Sequence, residues 1–415
     1  MKALLFTLAM ALPAACASPQ RETTVATADT LATEPGAFIF TSTLISDSAN
    51  LWWARALADV DGDGVLDVAL HDNNGSGGWL GYLRGNTTGV PWERVVVAER
   101  APNGEPFAAG DLEVGDLDGD GDVDLIGVQH PGEWNDGNAT ATLYWYEQAG
   151  DDWTPHRVGT IPSALKDLSI ADLDGDGAPE LVTVTYNAAT LSLFRRGADG
   201  AFAKAWDLTI ENLHEGLDVG DLDGDGRPDL ATNGYWLPNP GALDAPWEVR
   251  VIDSLWHSQR EEHWARNATK TVCRDVDGDG RAEVFVSHSE KAGYPVVRYD
   301  WEGDAWRKEV LYDELPAAHS LQVVDLDGDG TWEVLTGVNR TRARDIRTEA
   351  GEPAAASFPV MILTPGKGGW TVQTIDTTGV YNLLVGDLEG DGDLDLVRLT
   401  AHDRRDMWLM RNEGR

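Results

Sequence analysis

The chain is poor in cysteine, in basic residues and in long apolar runs. Among its 415 residues only Cys16 and Cys273 are cysteines. If a leader is cut beside Cys16, no pair remains to oxidise, so disulfides are not expected. Lys and Arg number 32 against 70 Asp and Glu, a net charge of −38. Such a surface disfavours nucleic acid and anionic membranes. Nothing in the body of the chain is apolar over the ~20 residues a membrane helix needs. There is no Gly-x-Ser-x-Gly elbow, no Walker loop and no Cys-x-x-Cys, so the sequence gives no signal for those hydrolase, nucleotide and redox chemistries.

What the chain does have is acid and glycine in a repeated order. Asp59-Val60-Asp61-Gly62-Asp63-Gly64-Val65-Leu66-Asp67 carries carboxylates at positions 1, 3, 5 and 9 and a Gly at position 6. Those are the first three quarters of an EF-hand calcium loop. The twelfth position, where an EF-hand needs Glu, is Leu70, and Val65 to Leu70 reads as a strand. A metal loop at the tip of a β-hairpin is therefore expected.

Six more copies follow. Their acids are Asp116, Asp118, Asp120 and Asp124; Asp172, Asp174, Asp176 and Glu180; and Asp221, Asp223, Asp225 and Asp229. The rest are Asp275, Asp277, Asp279 and Glu283; Asp325, Asp327, Asp329 and Glu333; and Asp387, Glu389, Asp391 and Asp395. Starts are 57, 56, 49, 54, 50 and 62 residues apart. Asp and Gly favour tight turns by themselves, but a turn does not need the acid at position 9. Two unit charges ~4 Å apart repel by about 4 kcal/mol at an effective dielectric near 20. A cation relieves that, and up to seven Ca²⁺ are expected. The loops hold 28 of the 70 acids, so seven Ca²⁺ would leave a charge of −24.

A period near 50 residues signals a repeat architecture. The motifs resemble the FG-GAP/VCBS repeats of bacterial surface proteins and of the integrin α-subunit head, over nearly all the chain after residue 36. The resemblance implies an all-β fold with calcium-binding hairpin loops. Strand spacing agrees. Leu321–Val324, Glu333–Val338, Val360–Leu363 and Trp370–Ile375 read as four short strands in one repeat. Four strands seven times make a seven-bladed β-propeller over residues 37–415. Phe38–Ile45 has no blade of its own, and the last repeat lacks room for a fourth strand, so the two are expected to pair. Trp92, Trp153, Trp206, Trp247, Trp306 and Trp370 recur at one place and read as packing between blades. Cys273 stands where other repeats have apolar residues and reads as buried.

Residues 1–17 read as a secretory signal: Met1-Lys2, an apolar run, then small residues. Leu12-Pro13-Ala14-Ala15-Cys16 resembles a lipobox, which implies a lipidated Cys16 and an outer-membrane or cell-surface lipoprotein. Alternatively, Ala15-Cys16-Ala17 suits ordinary cleavage and a secreted or periplasmic protein. Residues 18–36 read as a flexible tether.

The loops should share one face of the propeller, which leaves the other for function. His71, His130, His288 and His402 follow second strands, His214 and His319 precede first strands, and Lys166 and Tyr381 hold like places. These His are candidate acids, bases or ligands to a second metal. Tyr235 and Trp236, with Lys166, are candidate ligand-binding residues on the same face. Ser287-His288-Ser289-Glu290, Gly293-Tyr294-Pro295 and His319-Ser320-Leu321-Gln322 resemble the propeller part of aldos-2-ulose dehydratases, metal-using enzymes of keto-sugars. Two functions stay open: a monomeric surface recognition or adhesion module for glycan or protein, or a carbohydrate lyase or dehydratase.

Overall fold

A computed structural model describes residues 36–48, 55–71, 78–131, 139–260, 265–346, 353, 355–401 and 404–415. Its strands form seven four-stranded antiparallel sheets; among the described residues the only helical segments are a 3₁₀ turn at Ser254–His257 and a short helix at Arg340–Asp345. The chain is a seven-bladed β-propeller. We number the blades by their acidic loops. The sixth is built from Ala318–Val324, Glu333–Val338, Val360–Gly366 and Gly369–Asp376. Each expected strand is there, and three of the four run longer than apolar alternation alone suggests.

Blade seven takes its fourth strand from the other end of the described chain. Phe40–Ser46 pairs antiparallel with Met407–Asn412, Phe40 opposite Asn412. Gln373 of blade six clamps Phe38, accepting from its N–H at 2.9 Å and donating to its carbonyl at 2.7 Å. Trp92 of blade one donates its backbone N–H to the Ile45 carbonyl at 2.9 Å. The closing strand thus bonds to three blades.

The cores lie between blades. One unites Leu222, Ala231 and Trp236 of blade four with Cys273, Val284 and Tyr299 of blade five. Another joins Val397, Leu399 and Met407 of blade seven to Val68, Leu70 and Trp92 of blade one. The recurrent tryptophans pack at such seams: Trp206 meets Trp247 at 5.8 Å, and Trp370 Nε1 donates across to Glu309 of blade five. Cys273 is buried, and burial pushes its thiol well above the ordinary range. Small residues let the inner strands approach. A Cβ on Gly220 would lie 2.9 Å from the Cβ atoms of both Cys273 and Ala282.

Inner strands have one unpaired edge facing the axis, a problem every propeller must solve. Here side chains solve it. Asp111 accepts from Leu168 N–H at 3.0 Å, Asp167 from Gly216 N–H at 2.8 Å and Asp218 from Cys273 N–H at 2.8 Å. Each bond ties one blade to the next.

Candidate functional site

The acidic loops share one construction. In all seven, the position-1 carboxylate accepts from the Gly N–H at position 6, from 2.8 Å for Asp221 with Gly226 to 3.0 Å for Asp275 with Gly280. Gly64 has φ of +88°, which L side chains rarely adopt. The carboxylates stand together. In three loops the acids at positions 1, 3 and 9 (Asp59, Asp61 and Asp67 in the first) present oxygens within 4.8 Å of one another. In the loops at Asp221 and Asp275 the acids at 1, 3 and 5 do so. Asp59 Oδ1, Asp61 Oδ1, Asp325 Oδ1 and Asp327 Oδ1 are buried acceptors without a hydrogen-bond donor. An all-oxygen set with orphaned acceptors fits a hard cation.

Position 9 does more than the sequence suggests. Its carboxylate accepts from the N–H at position 2 in every loop, as Asp67 does from Val60 and Glu333 from Leu326. In blades one, two, four and seven the second oxygen accepts a backbone N–H from the end of the third strand, at 2.6 to 2.9 Å. The acid therefore fastens the loop to its sheet with or without a cation, and its recurrence is not a metal signature alone. Burial raises these carboxyls, to about 6 for Asp67, Asp124, Asp229 and Asp395 and about 7 for Glu180, Glu283 and Glu333.

Arginines reach into several loops. Arg84 Nε lies 2.6 Å from Asp61, Arg411 Nε 2.6 Å from Glu389 and Arg415 Nε 2.9 Å from Asp327. Arg227 pairs with Asp225, and Arg298 stands 3.3 Å from Glu283.

On the opposite face the inner strands begin, and each blade brings a polar group there. Arg55, Asp111, Lys166 with Asp167, Glu215, Lys270, His319 and Tyr381 stand in or just before the first strands of blades one to seven. Glu215, 1% exposed, is the hub. Lys166 Nζ is 2.6 Å from it, Lys270 Nζ 3.8 Å, His214 Nδ1 3.7 Å, and Ser289 Oγ donates at 2.5 Å. Burial alone would raise the Glu215 carboxyl; Lys166 and Lys270 outweigh it and hold it well below the ordinary range. Burial lowers Lys270, but Glu215 and Asp167 prevail and its ammonium ends raised. Asp111 is pushed up to about 7, by burial and then by Asp167. Burial brings Arg55 down to about 9 and raises Tyr381. Beside this group His319 Nε2 meets Glu290 Oε1 at 3.3 Å, and Arg342 holds the other Glu290 oxygen at 2.8 Å.

The expected histidines do not form one set. His214 and His319 reach the charged group. His71 and His130 are 0% exposed. His71 ends a strand inside blade one, packs on Phe107 at 5.5 Å and has Nε2 3.3 Å from the Ile126 carbonyl. His288 lies against Tyr294 at 4.2 Å, with Gln259 Nε2 3.1 Å from its Nε2. His402 lies outside the described residues. The aromatic platform also needs correcting. Trp236 is 1% exposed and donates Nε1 to Asp229 at 3.0 Å, and Tyr235 stacks on His257 at 3.8 Å and donates to the Glu211 carbonyl. Both sit on a buried third strand, so Trp236 offers no face to a sugar. Lys166 does belong to the mouth.

Sequence reading missed Glu215, Lys270, Asp167, Asp111 and Arg55. They were findable: in each repeat the residue four to six places before the first loop acid is charged, His or Tyr.

Compared with known proteins, the FG-GAP-like repeat pattern matches residues 116–183, 172–232 and 275–336, which span the loops from Asp116 to Asp325. No curated protein matches the chain. Among solved structures, BBS1N in complex with ARL6DN, soaked with mercury, is similar with a TM-score of 0.51 at 11% identity, covering 90% of this chain and 96% of that one. The same complex soaked with lead gives 0.50 at 11% identity, covering 91% and 98%. A putative 6-phosphogluconolactonase from Bacteroides fragilis NCTC 9343 gives 0.43 at 11% identity, covering 86% and 87%.

Proposed function

We propose that this seven-bladed propeller, which matches the FG-GAP-like repeat pattern over residues 116–232 and 275–336, is an extracytoplasmic recognition module, stiffened by calcium and binding a protein or glycan at its axial mouth. The carrying observation is that Lys166 and Lys270 stay partly exposed at that mouth, paired with the buried Glu215 among strand-start groups that include Arg55, His319 and Tyr381. Strand ends fix these groups in mutual relation, as a recognition surface requires. Calcium is the cation that the loop donors suit, with Asp59, Asp61, Asp63 and Asp67 and their counterparts as ligands. Cation binding at the opposite rim leaves the mouth open. BBS1N, a propeller of like fold, is in complex with another protein, which favours a protein partner. Export, with or without lipid on Cys16, rests on the leader sequence.

The test probes a glycan array and an array of extracellular proteins with the intact chain in calcium. Hits should weaken at least tenfold in Lys166→Ala and Lys270→Ala variants whose circular dichroism is unchanged. Hits insensitive to both substitutions would move the site away from the mouth.

A further inference from the structure

A cavity of about 350 Å³ opens at the outer seam of blades two and three, on the side of the acidic loops. Its wall exists because the outer hairpin of blade two is long. Thr140–Ala149 and Asp152–Pro162, of 10 and 11 residues, are the longest described strands. Glu147 and His156 project from this hairpin, Nε2 to Oε2 at 2.5 Å, beside the exposed Arg157. Blade three supplies Arg196, Asp199 and Phe202.

The walls are held in place. His156 lies over Trp145 at 4.7 Å, the Arg196 guanidinium is 5.3 Å from the same ring, and Phe202 meets its edge at 5.8 Å. Arg196 also donates Nε to the Gly200 carbonyl at 3.0 Å and Nη1 to Leu117, inside the second acidic loop, at 3.4 Å. The seam of blades four and five is filled by tryptophan, where Trp236 meets Trp301 and Trp306, whereas here Trp145 lines an open cavity.

From this geometry we infer that the cavity binds a neutral hexose unit of a glycan. The guanidinium donors of Arg157 and Arg196 and the carboxylate acceptors of Glu147 and Asp199 line it together with the apolar Trp145, Val158 and Phe202. A purely anionic ligand would meet Glu147 and Asp199, and a cation would meet Arg157 and Arg196. Hydroxyl groups both donate and accept, so a polyol matches this mixed lining where an ion does not. The volume falls within the ~300–1,000 Å³ of small-ligand pockets and suits a single ring. Charge-assisted hydrogen bonds from planar guanidinium and carboxylate groups are stronger than neutral ones and directional.

The rim cavity stands apart from the axial mouth, so either site can fail alone. The experiment is saturation-transfer NMR on the full chain with the methyl glycosides of glucose, galactose, mannose and N-acetylglucosamine, alongside galacturonate and glucosamine. Transfer to at least one neutral hexoside is expected. Its affinity should fall tenfold or more in Glu147→Gln and in Arg157→Ala; the second changes an exposed side chain and should leave the melting temperature unaltered. Transfer to no neutral hexoside, transfer to the charged sugars alone, or binding untouched by both substitutions would overturn the inference. Loss of hexose binding in Lys270→Ala with no effect of the rim variants would overturn it too, and would place the sugar at the mouth.

Discussion

Two acids six positions apart in a loop differ in kind. Asp124 accepts from Leu117 and Gln148 N–H groups, both in the interior, whereas Asp118 is bonded only within its own exposed loop. Asp124→Ala strands two buried donors, a cost of roughly 2–5 kcal/mol. It is expected to lower the melting temperature even in EDTA, whereas Asp118→Ala should do so only when calcium is present. Equal effects of both in EDTA would contradict the division of labour. At the axis, Asp111 supplies a pH dependence. Its folded pKa of about 7 exceeds its unfolded value of about 3.9, so the folded state holds the proton more tightly. A raised carboxyl costs nothing below about pH 4; its penalty grows between about pH 4 and pH 7 and stays constant above that. Asp111→Asn keeps an oxygen for Leu168 N–H without ever ionising. It should therefore raise the melting temperature relative to the parent at pH 8 and change it little at pH 4, as calorimetry across that range can show.

The closing strand and the arginine-capped loops act at the scale of elements. Removal of residues 36–46 would strip Met407–Asn412 of its partner and Trp92 of its acceptor on Ile45. An open edge and a sharply lower melting temperature are expected, and a truncated chain melting like the parent would refute closure by this strand. Capping should grade the loops. Arg411 sits on Glu389 at 2.6 Å, and a guanidinium there competes with a cation for the same oxygen. Arg411→Ala is expected to tighten calcium binding at the seventh loop, seen by titration calorimetry as one site of several shifting to lower Kd. An unchanged isotherm would show that the arginine swings clear when calcium arrives.

Over the whole molecule the loops add up. Extracellular calcium modules bind with Kd on the order of 10⁻⁴–10⁻³ M. At ten times Kd, each filled loop adds about 1.4 kcal/mol. Seven together rival the ~5–15 kcal/mol stability of an ordinary fold. Chelation should lower the melting temperature by on the order of 10 °C, and added calcium should restore it. A melting curve indifferent to EDTA would dismiss calcium as a stabiliser and leave the loops as turns tied down by position 9.

The sequence by itself determined the blade count, the loop positions and the strand that closes blade seven. These depend on local chemistry that recurs: Gly at position 6 is needed where φ is positive, and alternating apolar residues make strands wherever they occur. Glu333–Val338 could be read to the residue because its Asp-Gly loop and Gly337-Val338 mark both ends. Tertiary structure alone decided the rest. Whether His71 or His319 reaches the mouth depends on where neighbouring blades lie, since one packs under Phe107 and the other faces Glu290. Trp236 looks like a platform in one dimension and is a buried donor to Asp229 in three. The link of Glu215 to Lys166 and Lys270 crosses three blades, about 50 residues apart each way. No local pattern encodes that contact, because it is made by closing the ring.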